Sequence, residues 1–269
     1  MPVSRETSAP ATGRLLLIPN TLDLGCVGDD GQALPDLRDV LPMGAIQAAA
    51  GLKHWVAENA KTTRAFIKRV AEILPVAVPL QEQDIQVLPK PQKDGGKPAP
   101  DADKAMHALL APALAGHDLG LISEAGLPGV ADPGAALVLA AHKAGVQVVP
   151  LSGPSSLVLA LAASGLHGQS FAFVGYLPVE ATQRSQRIRE LELTSRKAHQ
   201  TQLVIETPYR NVALWQALVQ HLQPATLLSV SCGLTLAQGW SRTDSVAGWR
   251  KKNLTLPDDV PAVFSWLAA

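Results

Sequence analysis

Cysteine, net charge and long apolar runs are all scarce in this chain, and each scarcity excludes something. Only two cysteines, Cys26 and Cys232, occur in 269 residues. They match no metal-ligand spacing, so no metal site is expected, and reduced thiols in a cytoplasmic chain are the simplest reading. Lys plus Arg equals Asp plus Glu at 23 each, which argues against nucleic-acid binding by bulk charge while leaving room for a local basic face. No apolar stretch approaches the ~20 residues needed to span a bilayer, so no membrane partner is expected. The opening MPVSRETSAPATG has no apolar signal core and reads as a loose tail over residues 1–13. The dinucleotide pattern G-x-G-x-x-G after the first strand and the nucleotide pattern G-x-x-x-x-G-K-[ST] are both absent.

What is present is an α/β pattern. A hydrophobic fraction of 47% against 17% charged supports a sizeable core. Arg14–Ile18, His54–Glu58, Leu119–Ser123 and Val146–Pro150 read as strands. Helices are expected over Met43–Ala50, Lys61–Glu72, Ala105–Ala115 and Leu157–Ala163. Another runs from an Asp132 cap and Pro133 to Ala144. In the second of these, Ala65, Phe66, Ile67 and Val70 are the candidate core face. Alternating strands and helices imply a mostly parallel sheet. After Gly165 the texture changes to strands at 171–176, 202–206, 227–232 and 262–267, with helices at 182–197 and 209–220. The domains are accordingly a tail at 1–13, an N-terminal α/β domain at 14–166 and a C-terminal α/β domain at 167–269. Residues 89–103, PKPQKDGGKPAPDAD, form a surface insertion or a lid.

Two loops carry the candidate chemistry. Ser123–Gly134 reads SEAGLPGVADPG and leaves the carboxyl end of a parallel strand, where open α/β sheets bind ligands. Its glycines permit positive φ and close approach of a ligand, and Pro128 and Pro133 stiffen the path. A plain strand–helix connection also uses Gly and Pro, but twelve residues with three glycines and two prolines favour a ligand loop. Ser152–Ser156 repeats the logic one strand later. Its serines suit hydrogen bonds to a ribose, a carboxylate or an amino group, and equally suit N-caps. A third glycine-bearing stretch, Leu22–Gly28, imitates the Rossmann-like methyltransferase loop. It lacks that fold's strand lead-in, because Pro19 and Asn20 intervene.

These residues resemble the tetrapyrrole-methylase-like methyltransferases, and within them the ribosomal RNA small-subunit methyltransferase I branch. The branch pattern S-D-A-G-T-P-G-I-S-D-P-G is similar to Ser123–Gly134. P-G-P-S-A matches Ser152–Ser156, F-x-G-F-L-P matches Phe173–Pro178, and F-Y-E-S-P-H-R matches Val204–Arg210. A-E-D-T-R-x-T-R is echoed by Ala57–Arg64. The resemblance implies two α/β domains with S-adenosylmethionine in a cleft between them, usually in a homodimer. It places the cofactor against Pro19 and Leu22, against Gly126, Leu127, Gly129 and Val130, and against Ser155 and Ser156. From the second domain it adds Glu206, Ser231 and Pro261. The implied activity is ribose 2'-O-methylation of small-subunit rRNA. The alternatives are methylation of a tetrapyrrole-like small molecule and a non-catalytic cofactor-binding protein. A base would help a hydroxyl acceptor, and Glu58 and Glu206 are the candidates. Lys61, Arg64, Lys68 and Arg69 on one helix, and Arg184, Arg187, Arg189, Arg196 and Lys197 on another, are the candidate phosphate contacts. The chain departs from the branch at P-T-P-I-G-N-L, here Pro19–Leu24 as PNTLDL, and at A-R-E-L-T, here Ser231–Thr235 as SCGLT.

Overall fold

A computed structural model describes residues 12–23, 35–89 and 102–269. The tail, most of the Leu22–Gly28 stretch with Cys26, and nearly all of the 89–103 segment lie outside these residues. The described chain divides into two compact units, with the division falling between Pro154 and Ser155.

The first unit is built on strands β1 (Arg14–Ile18), β2 (His54–Ala57), β3 (Asp84–Val87), β4 (Leu119–Ile122) and β5 (Gln147–Pro150). They form one five-stranded sheet in the order β3-β2-β4-β1-β5, and every pairing in it is parallel. Successive side chains alternate between faces, and the core divides accordingly. Leu16, Ile18, Trp55, Ala57 and Ile122 pack with residues of α1 (Met43–Ala50) and α2 (Ala60–Ala71). Leu15, Val56, Leu119 and Leu121 pack with residues of α3 (Ala102–Leu109), α4 (Ala111–Leu114) and α5 (Ala135–Lys143). Gly120 belongs to the first face because a Cβ there would meet Leu52 and Trp55. In α2, Phe66, Ile67 and Val70 are buried as expected, while Ala65 is exposed.

The second unit holds α6 (Ser156–Ser164), β6 (Phe171–Phe173), α7 (Ala181–Ala198), β7 (Thr201–Ile205) and α8 (Asn211–His221). After these come β8 (Leu227–Cys232), β9 (Trp240–Ser245), α9 (Val246–Trp249) and β10 (Ala262–Leu267). Its five-stranded sheet runs β6-β7-β10-β8-β9. Only β6–β7 is parallel and the other three pairings are antiparallel. Val204, Val230, Phe264 and Trp266 face α7, α8 and α9, and Leu203 and Val263 face Leu157, Ala160 and Leu161 of α6. The contact of α6 with this second sheet is why the units part before that helix. The texture of the sequence places the change near 165–170 instead.

Four local expectations need correction. The single helix at 105–115 is two, α3 and α4, with Pro112 opening the second; proline donates no N–H to a helix interior. The helix expected to start at Asp132–Pro133 starts at Ala135 and is capped by Gly134 at φ 133°. The strand expected over 171–176 stops at Phe173. Strands β3 and β9 were not expected. Both are sheet edges with little buried surface; β9 carries no apolar alternation, and β3 alternates over only four residues, Asp84–Val87, too short a stretch to mark a strand.

Candidate cofactor and active site

In a wholly parallel sheet all carboxyl ends lie on one side, so the loops after β1, β2 and β4 gather there. Asn20 fastens two of them together. It is buried, and its Nδ2 donates to the carbonyls of Ser123 at 3.1 Å and Glu124 at 3.0 Å. Its backbone N–H donates to the Gly126 carbonyl at 2.9 Å, and the Gly126 N–H returns a bond to the Thr21 carbonyl at 3.3 Å. Pro19 and Leu22 flank this bridge. A Cβ on Gly153 would come within 2.1 Å of the Pro19 Cβ, and one on Gly126 would meet Leu22 at 3.3 Å. The long loop is held in conformations that L side chains rarely adopt: Gly126 has φ 64° and Gly129 φ 80°. Leu127 is half-buried and Val130 is exposed. Ser155 occupies the N-cap of α6, yet its hydroxyl makes no capping bond. Of the two uses open to that serine, capping is therefore not the one the structure displays.

The long loop brings two of its own carboxylates, Glu124 and Asp132, to Glu58 after β2. Glu58 extends the β2–β4 ladder by donating its backbone N–H to the Ile122 carbonyl. Its carboxylate accepts from the Glu124 N–H at 3.0 Å. Glu124 in turn accepts from Asn59 Nδ2 at 3.0 Å, and Asn59 caps α2 through the Lys61 N–H. Burial, and then the neighbouring Glu124, push the Glu58 carboxyl above its ordinary range against the lowering effect of that backbone bond. Asp132 is pushed up to about 7, by burial first and then by the charges of Glu58 and Glu124. The hydroxyl of Ser123 is buried without a partner. The local sequence pattern marks Asp132 as a helix cap and gives no signal for Asn20 or Glu124. These residues acquire their setting from contacts across about 65 to 105 positions of chain, which no local pattern signals.

The second unit gathers its own candidates at one end of its sheet. Glu206 follows β7, Ser231 lies near the end of β8, and Pro261 precedes β10, whose pairing is antiparallel to both. Glu206 is buried, paired to Arg210 at 2.8 Å, and accepts from the Thr207 N–H. Its carboxylate is thus already engaged within the unit. Ser231 accepts from the Ser241 hydroxyl at 2.8 Å, and the Pro261 carbonyl accepts from the Gly233 N–H at 3.0 Å.

The basic faces also change on inspection. Lys61, Arg64 and Lys68 are exposed, whereas Arg69 turns inward to Asp23 at 3.1 Å and is not available to a phosphate. On α7, Arg187 pairs with Glu190, and Arg196 donates to the Ala269 carbonyl. Among the described residues no group of three or more His, Cys, Asp and Glu could hold a metal ion, and no helix is long and apolar enough to cross a membrane.

The model of the tetrapyrrole (corrin/porphyrin) methylases matches residues 34–238. The chain belongs to that family. Among curated relatives, the ribosomal RNA small subunit methyltransferase I of Vibrio cholerae is 42% identical over 97 residues, 36% of this chain and 32% of the relative. The protein of the same name from Synechocystis is 36% identical over 127 residues, 47% of this chain and 44% of the relative. The matched stretches thus span only about a third to under a half of those relatives. Among solved structures, the methyltransferase CobJ aligns with a TM-score of 0.51 at 16% identity, covering 96% of this chain and 95% of that one. That likeness establishes the tetrapyrrole-methylase fold.

Proposed function

We propose that this chain is an S-adenosylmethionine-dependent methyltransferase that methylates a ribose 2'-hydroxyl of small-subunit rRNA. The observation that carries the proposal is the Asn20-pinned, glycine-rich loop at the carboxyl end of β4, in a chain of this family. The residues suit the cofactor. Gly126 and Gly129 open the backbone to close approach, and the unpartnered Ser123 hydroxyl and the uncapping Ser155 hydroxyl offer hydrogen bonds. Pro19, Leu22, Leu127 and Val130 would complete its surroundings in the first unit, with Ser155, Ser156, Glu206, Ser231 and Pro261 contributed by the second.

The bound cofactor would supply an activated methyl group. The protein's share is then to orient the acceptor, exclude water and take up a proton. The carboxylates at Asp132, pushed up to about 7, and Glu58, held above its ordinary range, suit the last task better than the ion-paired Glu206. Exposed Lys61, Arg64 and Lys68 would meet RNA phosphates. We place the protein in the cytoplasm as a homodimer. The test is transfer of a labelled methyl group to small ribosomal subunits from a strain lacking the gene. Labelled 16S-type rRNA is the expected result, and no label on those subunits would refute the substrate. The family description favours a corrin or porphyrin precursor as the second reading; calorimetry without precursor binding would remove it.

A further inference from the structure

The first loop of the site departs from the branch pattern, and the structure shows what holds it instead. Arg69 lies in the last turn of α2, on a helix whose other cations face solvent. Its side chain is only 15% exposed, and its partner Asp23 is 7% exposed. Nη1 pairs with the Asp23 carboxylate at 3.1 Å and reaches the Thr21 hydroxyl at 3.4 Å, while Nη2 donates to the Pro35 carbonyl at 2.8 Å. One planar guanidinium therefore binds the loop at Thr21 and Asp23 and the backbone at Pro35. Such forked, charge-assisted bonding fixes geometry as well as energy. The opposite end of α2 holds the other loop, since Asn59 caps the helix and donates to Glu124. Between these two ties stands the Asn20–Gly126 bridge.

We propose that Arg69 is a positioning residue for the cofactor site: α2 acts as a brace, with Arg69 holding the Pro19–Asp23 loop where Asn20 can pin the glycine-rich loop. This rests on the proposed cofactor reading, and its test separates the two. Arg69→Met removes the fork and keeps the apolar stem, and Arg69→Lys restores the charge without the fork. Hydrogen exchange on the protein alone reads the brace. The amides of Asn20, Thr21 and Gly126 should lose protection at least tenfold in Arg69→Met and regain part of it in Arg69→Lys, while those of β4 stay protected.

Titration with S-adenosylhomocysteine then reads the site. If the competent loop becomes a minority state of about a tenth, apparent affinity falls about tenfold. Unchanged exchange at Asn20, Thr21 and Gly126 would overturn the brace. Altered exchange with affinity within twofold of wild type would overturn its link to the cofactor. If the wild type itself does not bind, the cofactor reading fails and the link fails with it, whereas the exchange result still decides the brace.

Discussion

Asp132 makes the first unit sensitive to pH in a direction that can be worked out. Its carboxyl stands at about 7 in the folded chain, against an ordinary value of 3.8, because of burial and the charges of Glu58 and Glu124. A raised carboxyl means that the folded state holds the proton more tightly than the unfolded chain. Its stabilising contribution is complete below about pH 4 and is lost as pH rises through 7. About three units at ~1.36 kcal/mol each set an upper bound near 4 kcal/mol. Asp132 is only half-buried, so solvent screening reduces this to about 1–2 kcal/mol. Asp132→Asn keeps the shape and removes the ionisation. We expect its advantage over wild type to be small at pH 4.5 and to reach about 1–2 kcal/mol at pH 8. Glu58 is shifted the same way, and the repulsion between it and ionised Asp132 is part of the difference that the two proteins report. The assay is urea denaturation at the two pH values, with the transition of the first unit followed by exchange protection in β1 and β4. Equal stability of variant and wild type at pH 8, or a variant less stable at both pH values, would refute the reasoning.

Four further outcomes are expected. Gly129→Trp forces a bulky side chain into a φ of 80° and should abolish S-adenosylmethionine binding in calorimetry while wild type binds; equal binding by the two would place the cofactor elsewhere. Gly153→Ala sets a Cβ 2.1 Å from that of Pro19 and should cost about 1–3 kcal/mol, read as a lowered melting temperature of the first unit. Glu206→Gln leaves Arg210 without its partner and should destabilise the second unit by about 1–3 kcal/mol. Methyl transfer should fall by less than about tenfold, since loss of a general base costs about 10²-fold or more. Replacing Lys61, Arg64 and Lys68 together with Gln should weaken rRNA binding and flatten its salt dependence, with cofactor affinity unchanged.

The two sheets differ in how much of them the sequence revealed. β1, β2 and β4 are short apolar runs bounded by turn residues, and burial of both sheet faces makes such runs legible. The glycine-rich loop was equally plain, because positive φ at Gly126 and Gly129 demands a residue type that the eye can find. β9 was invisible, since an edge strand needs no apolar face, and β3 was hidden because its alternation lasts only four residues. The assignment of α6 was also hidden. Its apolar side fits either sheet by composition, and only packing against Leu203 and Val263 decided which.

The sequence by itself therefore determined the class of the fold, the glycine-rich loop after β4 and the family likeness, because each is written in local periodicity or in a contiguous motif. Tertiary structure alone decided the roles of the polar side chains. Glu206 became half of an ion pair with Arg210. Arg69 left the phosphate-binding candidates to hold Asp23, and Asp132 left its expected helix cap to join Glu58 and Glu124. The function of a charged group is set by what its burial places beside it, and those neighbours are remote in the chain.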